Sequence, residues 1–255
     1  MLSRHARFMG AVMIAAGLAG CADSGSPSPA GRQVQFSLST RAAAAAPAAA
    51  FSAGRAPRIF ANGSDTLIID RVQLVLREIE LRRVQGSVCD STNIGSGDCE
   101  ELELNPMLVD LPLDPGETQQ FGVPVDTGSY DKLEFQIHKP DGDPEDMALL
   151  QAHPEFQGVS IMVTGTFNGT PFTYTTELDV EQEADLVPPL TVTDSTPAML
   201  TMQVDIGTWF QNGGALVDPA SANKGQPNEG VVKNNIEQSF HAFEDENHDG
   251  MDDHS

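Results

Sequence analysis

The stretch that most constrains this chain lies between Val159 and Val180. Val159, Ile161 and Val163 alternate with Ser160, Met162 and Thr164. Phe167-Asn168-Gly169-Thr170 follows, and Phe172, Tyr174, Thr176, Leu178 and Val180 then fill every second position. A period of two places one set of side chains on one face of a strand. Asn-Gly accepts the positive φ angles of a type I′ turn, so the two runs form a hairpin.

Further strands are expected over Tyr130 to His138, entered through the turn Asp126-Thr127-Gly128-Ser129, and over Leu186 to Val192 and Met199 to Ile206. Pro188 and Pro189 cannot donate to a ladder, so the 186–192 strand is short or lies at a sheet edge. One short helix is expected, with Asp143 as cap, Pro144 at its first position, apolar Met147, Leu149 and Leu150, and Pro154 ending it. Many short strands separated by turns make an antiparallel β-sandwich.

Residues 66–84 are ambiguous on periodicity. Val72, Val75, Leu76 and Ile79 fit one helical face, with Asp70 and Gln73 spaced like a capping box. As a strand, Val72, Leu74 and Leu76 alternate and the phase slips before Ile79 and Leu81, as a β-bulge would make it. The run from Asp65 to Leu81, the turn Leu111-Pro112-Leu113-Asp114-Pro115-Gly116 and the segment Gly128-Ser129-Tyr130-Asp131-Lys132-Leu133-Glu134-Phe135-Gln136-Ile137 together resemble a family of bacterial lipoproteins of unknown function. The resemblance spans residues 34–210. It implies an immunoglobulin- or transthyretin-like sandwich and a strand over 66–84, and it brings no catalytic residues with it.

The N-terminus says where such a chain resides. Arg4 and Arg7 precede an apolar run from Phe8 to Ala19, too short to span a bilayer permanently, which reads as a secretory signal over residues 1–20. Leu18-Ala19-Gly20-Cys21 resembles the lipobox of bacterial lipoproteins, in which the cysteine is acylated and becomes the mature N-terminus. The expected location is the bacterial cell envelope, with the membrane engaged through lipid on Cys21. Ala22 after the cysteine, in place of Asp, implies outer-membrane sorting. Residues 21–57 read as a Ser/Pro/Gly- and then Ala-rich tether carrying a first strand at 34–39, residues 58–215 as the sandwich, and residues 216–255 as a C-terminal segment.

Cys89 and Cys99 flank a turn-forming run in an exported chain, so a disulfide is expected between them, contributing roughly 2–3 kcal/mol. Acidic residues outnumber basic ones by 37 to 14, for a net charge of −23, a field that repels nucleic acid and attracts cations and basic partners.

One motif carries chemistry. Asp245, Asn247 and Asp249 stand at positions 1, 3 and 5 of a loop, Gly250 at 6, Met251 offers its carbonyl at 7, and Asp253 falls at 9, the pattern by which EF-hand-type loops wrap calcium. Asn234 to Phe243 is the expected entering helix, with Ile236, Phe240 and Phe243 on one face. The bidentate Glu of position 12 is missing. The loop therefore resembles the open-ended calcium loops of dockerin or thrombospondin-type repeats, with affinity expected near 10⁻⁴ to 10⁻³ M, on the order of extracellular modules. The alternatives are a solvated acidic tail, or transition-metal binding through His241, His248 and His254. A second acidic loop, 141–146, is explained first as a turn leading into a helix that favours negative charge in its first turn.

No Gly-x-Ser-x-Gly elbow, His-Glu-x-x-His pair or phosphate loop occurs, and His138 and His153 stand apart from other catalytic residue types. The function expected is that of a non-catalytic envelope lipoprotein binding a protein or carbohydrate. A purely structural envelope component and a carboxylate-dependent hydrolase are the alternatives. Trp209-Phe210 beside Gly213-Gly214 is the one aromatic pair that would make a binding patch if exposed, and the end of a core strand if buried.

Overall fold

The computed structural model describes residues 33–40, 57–84, 105–114, 118–194 and 198–245. In chain order the strands are β1 (Gln33–Thr40), β2 (Arg58–Asn62), β3 (Asp65–Arg83), β4 (Met107–Asp110), β5 (Gln119–Pro124) and β6 (Gly128–Ile137). The short helix α1 (Met147–Ala152) follows, and then β7 (Ile161–Phe167), β8 (Thr170–Thr176), β9 (Val180–Val192) and β10 (Ala198–Val204). The small strands β11 (Gln211–Asn212) and β12 (Ala215–Leu216), the helix α2 (Glu229–Glu237) and β13 (Phe240–Glu244) complete the order.

These strands form a mainly β, antiparallel sandwich. One sheet runs β13-β10-β1-β5 and the other β8-β7-β3-β6-β9, with β2 and β4 also paired to β3. The core lies between them, where Phe36, Leu38, Leu200 and Met202 of the smaller sheet meet Leu74, Leu133, Phe135 and Val163 of the larger. Among the described residues no helix is long and apolar enough to cross a membrane.

The ambiguous 66–84 segment is strand up to Arg83. It pairs with β7 from Leu67 to Leu74 and then with β6 from Leu76 to Arg83, so a single strand organises both halves of the sheet. The slip in its pattern is a bulge: the register with β6 jumps between Arg77 and Glu80, and Glu78 has φ of 51°. A non-glycine residue in the left-handed region re-aims the strand and returns Ile79 and Leu81 to the core. The Asn168-Gly169 turn has φ values of 50° and 79°, as type I′ requires. The Asn168 side chain also accepts from the Thr66 N–H at 2.8 Å and donates to Asp65 at 2.9 Å, pinning the hairpin to the start of β3.

Several boundaries differ from expectation. The 34–39 strand is not part of a tether. It is an inner strand of the smaller sheet, parallel to β10 and antiparallel to β5. The sandwich therefore does not begin at residue 58, nor does it end at 215: β13 closes the smaller sheet against β10, and Val232 and Ile236 of α2 join the core. The single helix expected over 234–243 is α2 ending at Glu237 and a strand beginning at Phe240, because pairing with β10 satisfies a backbone that a longer helix would leave beside an open sheet edge. The 172–180 alternation is likewise two strands, β8 ending at Thr176 and β9 starting at Val180. The two prolines do lie on an edge strand, but it is long, running from Val180 to Val192. Helix α1 starts at Met147, later than Asp143-Pro144 implied, because Asp143 to Asp146 form a turn of their own.

Candidate functional site

Strands β3, β6 and β9 bring a concentration of charged side chains together. Along β6, Leu133, Phe135 and Ile137 point into the core, so Lys132, Glu134 and Gln136 project from the outer face. The registers place Glu80 opposite Glu134, Glu134 opposite Glu183, and Gln136 opposite Glu181. Three glutamates thus form one row across three neighbouring strands. Like charges directly opposite one another in a sheet cost up to about 1 kcal/mol per pair. A carboxylate oxygen from each of Glu134, Glu181 and Glu183 lies within 4.8 Å of the others.

Two cations hold the row together. Arg82 approaches Glu134 at 2.5 Å and Lys132 pairs with Glu183 at 2.8 Å. Glu134 is 5 % exposed, and the approach of Arg82 to its Oε1 does not form a well-directed hydrogen bond. Burial raises the Glu134 carboxyl above the usual carboxylate range, reinforced by Glu183 and Glu181 and opposed by Arg82 and Lys132. Glu183, hydrogen-bonded to Lys132, is held below that range. A recess of about 250 Å³ opens here, lined by Glu78, Glu80, Glu134, Phe135, Gln136 and Glu181. Its Glu78 wall exists because of the β3 bulge.

At the far end of β6, His138 and Asp146 form a buried pair that the sequence reading missed. His138 is 5 % exposed and its Nε2 lies 2.7 Å from Asp146 Oδ1, whose residue is fully buried. Asp146 Oδ2 accepts the backbone N–H groups of Asp141 and Gly142 at 2.9 and 3.3 Å. Burial works to raise the Asp146 carboxyl, but the hydrogen bonds from His138, Asp141 and Gly142 overcome it and hold the group below its ordinary value. The charge of the 141–146 loop is therefore used locally, with Asp146 tying the loop to β6 and Glu145 pairing with Arg77 at 2.7 Å.

Of the lipidation, disulfide and calcium-loop residues singled out in sequence, Asp245 alone lies among the described residues, and of the three histidines of the transition-metal alternative His241 does, on β13 opposite Gln203. Asp245 is 1 % exposed, and its Oδ2 accepts from the Thr201 hydroxyl at 2.9 Å. Its carboxylate thus fastens the end of β13 to β10. Cys21, Cys89, Cys99, Asn247, Asp249, Met251 and Asp253 lie outside the described residues, as do His248 and His254. Trp209 and Phe210 are buried core side chains, Phe210 meeting Tyr174 edge-on at 5.1 Å, so they form no binding patch.

No family model matches the chain, and no curated protein matches it. Among solved structures, MbnP from Methylosinus trichosporium aligns over 78% of this chain and 86% of its own, at 12% identity and a TM-score of 0.35. A likeness of that grade carries no statement about this chain's chemistry.

Proposed function

We propose that this chain is an exported, lipid-anchored envelope protein without a reaction of its own, and that the outer face of its larger sheet takes up a hard divalent cation, calcium first. The row Glu80–Glu134–Glu183, with Glu181 beside it, carries the reading. Oxygen donors alone, in a strongly negative chain, suit calcium far better than a soft metal. An ion also offsets the repulsion that the row builds into the sheet.

Calorimetry tests the cation. Calcium uptake is expected in the range of extracellular modules, about 10⁻⁴ to 10⁻³ M, with magnesium weaker because it demands octahedral geometry. Glu134→Gln is expected to weaken it by about tenfold, since affinity follows the number of charged ligands. Stability should move the other way. The folded chain holds the Glu134 proton more tightly than the unfolded chain, so the group's contribution is present at low pH and lost as pH rises through its raised folded value. Glu134→Gln removes that loss and should leave neutral-pH stability unchanged or higher. Unaltered calcium uptake by Glu134→Gln and Glu181→Gln would remove the face as the site.

The loop Asp245–Asp253 remains a second proposed calcium site, tested by a chain ending at Asp245. Ending it at Gln238 would delete β13 and confound binding with folding. Anchoring has its own test: Cys21→Ala should shift detergent partitioning from membrane to soluble phase, and unchanged partitioning would sink the lipid.

A further inference from the structure

The buried pair at the end of β6 leaves a second chemistry to explain. Asp146 is acceptor-only, so His138 Nε2 carries the proton that it donates. The other ring nitrogen, Nδ1, is buried and makes no hydrogen bond. Facing it is Asp179 Oδ1 at 3.8 Å, beyond hydrogen-bond reach, on a side chain 43% exposed at the rim. Gln136 Nε2 donates to that same oxygen at 3.2 Å and so fixes its position. The second ring nitrogen thus stands 3.8 Å from a carboxylate oxygen to which it makes no hydrogen bond.

We infer that the gap between His138 Nδ1 and Asp179 is a binding site for a borderline divalent transition ion, zinc first, with water completing the coordination. Zinc bonds of about 2.0–2.1 Å to imidazole nitrogen and 2.0–2.2 Å to carboxylate oxygen span slightly more than the observed separation, so an ion seated just off the line between the atoms fits. Asp146 supplies what metal-bound imidazoles ordinarily have, a carboxylate on the opposite ring nitrogen that fixes tautomer and orientation and raises ligand basicity. The three elements that meet here are fixed independently. His138 is held by its N–H to the Val75 carbonyl at 3.0 Å, Asp146 by the turn after β6, and Asp179 by the start of β9. The site shares no ligand with the glutamate row and differs from it in class, nitrogen and oxygen against oxygen alone.

The experiment is zinc calorimetry on the full chain at neutral pH with calcium in excess, together with the ¹⁵N shifts of the His138 ring. One zinc ion per chain is expected to disappear in both His138→Gln and Asp179→Asn, with calcium uptake unchanged. Asp146→Asn should weaken zinc about 10–100-fold, as for loss of a carboxylate behind a ligating histidine. The Nδ1 resonance should move on zinc addition. Should His138→Gln fail to fold, the half-exposed Asp179→Asn and the ring shift decide alone. Zinc uptake that survives Asp179→Asn belongs to other histidines and overturns the site. A ring whose Nδ1 stays protonated in the presence of zinc overturns it too, because a proton then fills the gap.

Discussion

Gly165→Ala is expected to destabilise the fold by about 3 kcal/mol or more, among the largest effects of any single added methyl group. Gly165 sits on β7 opposite Ile69, beside the irregularity where β3 skips from Ile69 to Arg71. There β3 comes so close that a Cβ at position 165 would lie 2.0 Å from the Ile68 carbonyl oxygen and 3.0 Å from its carbon. These are backbone atoms of the central strand, so no side chain can rotate away. Relief requires β3 and β7 to separate where they organise the larger sheet. Urea titration should show a lower midpoint with an unchanged slope. Gly230→Ala in α2 is the control: nothing lies within 4 Å of its added Cβ, and a helical alanine should leave stability equal or improved by up to about 1 kcal/mol. Equal midpoints for the two variants would mean that the strands do not approach as described.

Trp209→Ala should cost about 3–5 kcal/mol. Trp209 is fully buried, and its indole N–H donates to the Ser239 hydroxyl at 2.8 Å, which in turn donates to the Ile236 carbonyl at 2.7 Å. Asn235 reaches back to the Trp209 and Gln211 carbonyls at 3.0 and 2.8 Å. Truncation therefore opens a large cavity and removes the indole bond to Ser239 at the end of α2, while the Asn235 bonds to backbone carbonyls remain possible. Trp209→Phe keeps most of the bulk and leaves the Ser239 hydroxyl without its donor, for a smaller loss of about 1–3 kcal/mol. Because the chain has a single tryptophan, its emission in the parent reports this site alone, blue-shifted when folded and red-shifted on unfolding. An alanine variant as stable as the parent by circular dichroism would contradict the burial.

The acidic face and the His138 site were poorly legible in the sequence. Glu134 reads there as one more glutamate in an acidic chain. What distinguishes it is the pairing of Glu80 with Glu134 and of Glu134 with Glu183, residues far apart in the chain that share a row through two antiparallel registers. His138 read as an isolated side chain at a strand end, although Asp146 lies within the same loop and a turn-mediated contact was within reach of the reading. A turn leading into a helix is expected over 141–146, but with Pro144 opening the helix; that residues 144–146 stay in the turn, which delays α1 and sends Asp146 inward, is what the residues alone do not show.

What the residues determined alone is local. Alternation over 159–180 specified a hairpin because a period of two and an Asn-Gly turn admit few other structures. The broken phase before Ile79 falls where the β3 bulge lies, but periodicity alone left helix and strand open there. Pro188 and Pro189 marked an edge, since a proline lacks the donor that an inner ladder needs. Which strands become neighbours was decided only in three dimensions. Nothing in Gln33–Thr40 announces β10 as its parallel partner across more than half the chain, and nothing in Phe240–Glu244 announces that it will close the same sheet. Local pattern sets which face of a strand is buried. Pairing between distant strands is chosen by the backbone hydrogen bonds and shared apolar surface of the completed sandwich, and those exist only once both sheets have met.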